Sequence, residues 1–251
     1  MSDLHTPIPQ AAPYFPQPRP ELAGRLAAGD EALFGAMAKN TRVYPNGHVL
    51  VRAEEPHPTM FRLVSGTVAR VRLLDDSRRQ IICIFTPGDL LAVKAIVLDK
   101  QPDSIECLSE SVLQAIGYKE AIELGSGNPD VAFRYIWQLA EDERRLHNNV
   151  AMLGRGSAIE RIATMLVDIT GRRSKLGLPN GEIHFGQRDI ADYVGITPVH
   201  VNRTLRTLRE EGTISVHSGR IVIVDKEALG RHAAPMLDVF EREDPDFGGR
   251  L

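Results

Sequence analysis

Residues 185–212 read FGQRDIADYVGITPVHVNRTLRTLREEG, and their apolar spacing predicts two short helices about a tight turn. Ile190 and Val194 stand four apart and so share one helical face. Gly195 follows, a residue that takes non-helical φ cheaply and lets the chain turn. Thr197 offers a side-chain oxygen to cap a second helix, and Pro198 occupies its first position, where a missing N–H costs nothing. Val201, Leu205 and Leu208 then follow the i, i+4, i+7 rule and make one apolar stripe. Val199, Asn202, Arg203 and Arg206 fall on the opposite face at roughly 100° per residue. Between Thr197 and Arg209 stand three arginines and no acid.

A buried stripe beneath an outward polar face is what a helix-turn-helix needs to seat its second helix in the major groove of DNA. Arg pairs bidentately with guanine, Asn with adenine, and an exposed Val touches a thymine methyl. An ordinary helical hairpin with a solvated charged face shows the same short pattern, so the flanks matter. Thr213–Val216 and Ile221–Val224 are β-branched runs joined by His217-Ser218-Gly219-Arg220, which predicts a β-hairpin directly after the second helix. Helix, turn, helix and hairpin together make a winged helix. Its candidate DNA contacts are Gln187, Arg188, Thr197, Val199, His200, Asn202, Arg203 and Arg206, with Arg203 as the principal base reader. Gln187, Arg188, Arg206 and Arg209 are better placed for phosphates, which position a protein without reading sequence.

A net charge of −3 over 251 residues does not announce a nucleic-acid binder, so DNA affinity must come from a local patch. The two cysteines, Cys83 and Cys107, come without a secretory signal or an apolar run long enough to span a bilayer. A reducing, cytoplasmic setting is the expectation.

Residues 1–20 carry six prolines and almost no periodicity, as an extended or disordered arm would. Glu21–Ala38 has helical spacing. Between 42 and 118, the β-rich runs Val49–Val51, Phe61–Val64, Val68–Leu73, Gln80–Phe85 and Val112–Ile116 alternate with turn signals such as Pro45-Asn46-Gly47 and Pro87-Gly88-Asp89. Many short strands punctuated in this way describe a barrel or sandwich. Ile81, Cys83 and Phe85 alternate onto one face, so Cys83 reads as a small core residue, and Cys107 is left open between structure and redox chemistry. Asn128-Pro129-Asp130 opens a long helix running to about Leu153. Ile136, Leu139, Leu146, Val150 and Leu153 are spaced along it as the seam of a two-stranded coiled coil, with Glu143 interrupting. Ser157–Thr170 is a second amphipathic helix, and Gly171–Asn180 a basic loop leading to the winged helix. The fold class is α+β. Its expected divisions are a Pro-rich arm (1–28), a β-roll sensor domain (29–127), a dimerisation helix (128–156), a winged helix-turn-helix (157–232) and a tail (233–251).

Over residues 30–230 the order of these features resembles the Crp/Fnr superfamily of transcription regulators. The features that carry the resemblance are the roll with Gly66 and Pro87-Gly88-Asp89, the long helix led by Asn128-Pro129-Asp130, and the segment 186–212. The resemblance implies a homodimer joined along the long helix, a winged helix on a palindromic operator, and contact with RNA polymerase. Cyclic-AMP-binding members carry a Gly-Glu pair for the ribose and an Arg-Ser or Arg-Thr pair for the phosphate. Counting from Gly88-Asp89, this chain has Ala92-Val93 and Asp103-Ser104 instead, so cyclic AMP is not the expected effector, and action on DNA without any effector stays open beside an unknown one. The arm has no cysteines for an Fnr-type iron–sulfur cluster. In the reading helix Arg203 is kept, while Val199 replaces the usual Glu.

Two other readings stay open. His48, His57 and His147 could ligate haem, although their spacing does not favour it. A metal-dependent β-barrel enzyme would need two or three His with carboxylates in one place, and the roll holds only His48 and His57 without a His-x-His pair. No metal site and no catalytic residue are assigned; an enzyme is not expected.

Overall fold

The computed structural model describes residues 16–177, 183–217, 220–238 and 240–241. In chain order the first elements are α1 (Pro20–Met37), β1 (Thr41–Tyr44), β2 (Val49–Val51), β3 (Thr59–Ser65), β4 (Val68–Leu73) and β5 (Arg79–Phe85). Next come β6 (Leu90–Leu91), β7 (Ser104–Cys107), β8 (Ser111–Gly117), α2 (Tyr118–Gly127), α3 (Pro129–Arg155) and α4 (Ala158–Lys175). The chain closes with β9 (Ile183–His184), α5 (Gln187–Val194), α6 (Pro198–Glu210), β10 (Ile214–His217), β11 (Arg220–Ile223) and α7 (Lys226–Ala233). Contacts group the described residues into two units. The first takes in the chain up to Val68, Phe85–Ala140 and Lys175–Gly177; the second takes in Ala69–Ile84, Glu141–Ser174 and the chain beyond 177. These units cut across the divisions expected from sequence: the β4–β5 pair groups with the C-terminal elements, and α3 contributes to both.

In the first unit, α1 begins with Pro20 at its N-terminus and buries Leu26, Leu33 and Met37. The Pro-rich arm therefore ends before residue 20, not at 28, because this apolar face gives the helix something to bury. The strands β1, β8, β3 and β6 form one sheet in that order. Its register sets Met60 opposite Ile116, and both join Leu33, Met37, Leu90, Val93, Ala121, Val131 and Tyr135 in one core cluster. β2 pairs with β7, an element absent from the sequence reading, in which Ile105 and Cys107 alternate inward. Cys107 is 1% exposed, buried as a core residue would be. Gly66, between β3 and β4, has φ +94°, and a Cβ there would collide with the Ser111 side chain and the Glu110 carbonyl. Only glycine serves at that turn.

In the second unit, β4 and β5 are neighbours in a sheet. Cys83 on β5 is buried, and that burial, with Asp142 nearby, pushes its thiol up to about 11. Helix α4 opens with a capping box: the Ser157 amide donates to Glu160 Oε2 (2.6 Å), and the Glu160 amide donates to Ser157 Oγ (3.4 Å). It continues to Lys175, so the first part of the expected loop at 171–180 is helical. The reason is Arg172, which is buried and donates to both carboxylate oxygens of Asp168 (3.0 and 2.7 Å) and to the Ile84 carbonyl (3.0 Å). Residues 178–180 of that loop lie outside the described residues. The wing is the antiparallel pair β10–β11, with Ile214 opposite Ile223, and β9 adds a third strand. Its turn residues Ser218 and Gly219 are likewise outside the described residues.

Candidate nucleic-acid interface

Helix α5 ends at Gly195, whose φ of +67° turns the chain, and α6 starts three residues later at Pro198. Thr197 caps α6 as its sequence implies: its hydroxyl oxygen accepts from the His200 amide at 3.3 Å. Val201, Thr204, Leu205 and Leu208 are buried beneath α6. On the other side Val199 is 81% exposed, and Asn202, Arg203, Arg206 and Arg209 are also exposed, with His200 partly so. A single exposed valine is ordinary on a protein surface, so it is the polar and basic neighbours of Val199 that distinguish this face.

The polar side chains on this face are poised rather than locked. Arg203 Nη2 donates to His200 Nε2 at 3.1 Å, so that ring nitrogen acts as the acceptor. Arg206 pairs with Glu210 at 2.7 Å, an exposed i, i+4 contact that contributes little to stability. Gln187 and Arg188, at the start of α5, are exposed. The structure thus brings all eight candidate DNA contacts onto α5, α6 and the turn between them.

The seat of α5 went unseen in the sequence. Arg79 Nη1 contacts Asp189 at 3.0 Å and Asp192 at 2.7 Å. Tyr193 donates to Asn149 Oδ1 at 2.8 Å, and burial raises its pKa above the ordinary tyrosine range. Arg161 caps the end of the helix by donating to the Val194 carbonyl at 3.1 Å. The chain separations, more than a hundred residues for Arg79, leave no periodic signal.

On α3, Ile136, Leu139, Leu146 and Val150 are 61, 41, 45 and 63% exposed and make an apolar stripe left uncovered by the described residues. Leu153 departs from the stripe. It is half-buried, and a Cβ placed on Gly195 would stand 3.1 Å from its Cδ2, so it packs on the helix-turn-helix turn.

Val93 belongs to the core cluster of the roll, and Asp103 is 6% exposed where a family Arg would meet the phosphate. Of the haem candidates, His48 and His147 are exposed, while His57 is half-buried with its ring stacked on Phe61 and its pKa lowered by burial. Among the described residues, no group of three or more His, Cys, Asp or Glu side chains could hold a metal ion. No described helix is long and apolar enough to cross a membrane.

A β-roll followed by a long helix and a winged helix with an exposed reading face defines a DNA-binding transcription regulator. Comparison with known proteins places it more closely. The Crp-like helix-turn-helix domain matches residues 160–232, and the cyclic nucleotide-binding domain matches residues 41–127. The nitrogen fixation regulation protein FixK of Azorhizobium caulinodans is 29% identical over 236 residues, 90% of this chain and 94% of the relative. FixK of Rhizobium meliloti is 28% identical over 191 residues, 74% of this chain and 83% of that one. Among solved structures, FixK2 from Bradyrhizobium japonicum is similar with a TM-score of 0.68 at 25% identity, covering 76% of this chain and 95% of that one. The chain belongs to the Crp/Fnr family of transcription regulators.

Proposed function

We propose that this regulator acts as a homodimer joined along α3, reads a palindromic operator through α6, and contacts RNA polymerase in the cytoplasm. The observation that carries the reading is the two-sided α6, with Val201, Thr204, Leu205 and Leu208 buried and Val199, Asn202 and Arg203 exposed. Arg203 reads guanine, and Asn202, His200 and Val199 contact neighbouring bases. Thr197, Gln187, Arg188 and Arg206 hold the phosphates. The dimer contact uses Ile136, Leu139, Leu146 and Val150, with Leu153 contributing less because it already packs within its own chain.

The effector is not cyclic AMP. Losing the Arg removes a charge-assisted hydrogen bond of about 1.5–3 kcal/mol, and Asp103 opposes the anionic phosphate. Selection of bound duplexes from random DNA, with and without cell extract, tests the reading: an enriched inverted repeat supports it, and the absence of any enriched sequence under both conditions refutes it.

A further inference from the structure

Base reading makes no use of the side chains that fasten β5 to the helix-turn-helix. One nitrogen of Arg79 joins both Asp189 Oδ1 (3.0 Å) and Asp192 Oδ2 (2.7 Å) of α5, and the three side chains are only 17, 25 and 18% exposed. Next along the strand, Gln80 Nε2 donates to the Tyr193 carbonyl at 3.2 Å. The Asn149 amide of α3 donates to the Ile82 carbonyl at 2.7 Å and accepts from the Tyr193 hydroxyl at 2.8 Å, closing a ring from β5 to α3 to α5. Arg172 of α4 reaches the Ile84 carbonyl at 3.0 Å. β5 therefore grips α3, α4 and α5 together, and Arg79 is its charged contact to the helix that carries α6.

The leverage is large. At 1.5 Å per residue, the 13-residue α6 is roughly 20 Å long. A tilt of about 10° moves its far end by roughly 3.4 Å, one base-pair step along DNA. We infer that Arg79 is a positioning residue for operator reading: by binding Asp189 and Asp192 it fixes the pitch of α5 and α6 on α3, and with it the half-site spacing that the dimer accepts. The inference rests on the DNA and dimer readings above. It differs from simple neutralisation of two acids beside the phosphates, and from a contribution to folding alone.

The test uses the full chain and the operator recovered by selection, with its centre intact, lengthened by one base pair or shortened by one, and a single half-site duplex. Arg79→Ala leaves two carboxylates uncompensated near DNA and weakens every duplex. The double substitution Asp189→Asn with Asp192→Asn removes those charges, leaves Arg79 in place and strengthens every duplex. Both lose the clamp. The preference for the native spacing should fall about tenfold or more in both, because a charge-assisted, largely buried contact is lost in each. Arg79→Lys keeps the charge without the planar fork and should fall between the wild type and Arg79→Ala. Spacing preference unchanged in any folded Arg79→Ala or double-Asn variant overturns the inference, whichever way overall affinity moves. Should Arg79→Ala not fold, the Asn pair decides by itself, and unchanged spacing in that variant overturns the inference. A wild type that selects no inverted repeat overturns the DNA reading itself, and the clamp with it.

Discussion

Leu146→Lys places two ammonium groups opposite one another if α3 pairs with its copy. Leu146 is 45% exposed in the single chain, so roughly half of the ~1.5–3 kcal/mol of a fully buried leucine is still to be gained on pairing. Counted for two copies, the substitution forfeits ~1.5–3 kcal/mol of apolar burial before any repulsion. Like charges in a partly desolvated seam add ~1 kcal/mol or more. The sum, roughly 3 kcal/mol, raises the dimer dissociation constant more than a hundredfold. Sedimentation over a concentration series reads this directly. Far-ultraviolet circular dichroism should be unchanged, since the wild-type side chain touches solvent rather than the core. A Leu146→Lys protein that sediments as a dimer at wild-type concentrations would refute the seam and move the interface elsewhere.

Four further outcomes are expected. Glu143 is exposed and stands between Leu139 and Leu146 at the seam spacing, so Glu143→Leu should tighten the dimer in the same sedimentation series. Calorimetry with cyclic AMP should show no micromolar binding, and binding at that level would restore a nucleotide pocket that Val93 and Asp103 argue against. Cys83→Ser should lower thermal stability without changing any oxidant response, because burial holds the thiol near a pKa of about 11, far from a reactive thiolate; a lost response in a fully folded variant would reverse this. Glu241 is 2% exposed, and burial, with Asp168 and Asp238 as like charges, raises its carboxyl from 4.5 to about 7. A raised carboxyl binds its proton more tightly in the folded state, so its contribution to stability is lost as pH rises from about 4.5 to 7. Glu241→Gln should flatten that part of the pH–stability curve, and an unaltered slope would show that Glu241 does not titrate there.

The parts of this molecule that follow local rules were legible in its sequence. Gly195, Thr197 and Pro198 encode the turn and cap of α6 within four residues, and the stripe of Val201, Leu205 and Leu208 encodes its buried face. The strands of the roll were visible wherever β-branched runs met turn residues. β7 was missed because Ser104-Ile105-Glu106-Cys107 is short and lacks a β-branched run, and β9 because two residues carry no pattern. α2 was missed because its sole buried residue is Ala121, with glycines at its end. The helical extension to Lys175 depended on Arg172 finding Asp168 one turn back and Ile84 far away in sequence, while its Gly171 and basic neighbours imitate a loop. The same limit hid the Arg79 contact. A pair of acids on α5 reads as ordinary solvated charge until tertiary structure supplies the guanidinium between them.

The central claim is that the exposed face of α6 reads DNA sequence, and substitution of Arg203 tests it most directly. Competition binding with the selected operator and a scrambled duplex, at two salt concentrations, separates reading from simple attraction. Arg203→Ala should cost ~1–3 kcal/mol on the operator and relax preference at one base pair per half-site, leaving scrambled DNA nearly unaffected. Arg188→Ala should weaken both duplexes alike and flatten the salt dependence. If Arg203→Ala instead weakened both duplexes equally, Arg203 would be a phosphate contact, and the reading face would have to be sought at Asn202 or His200.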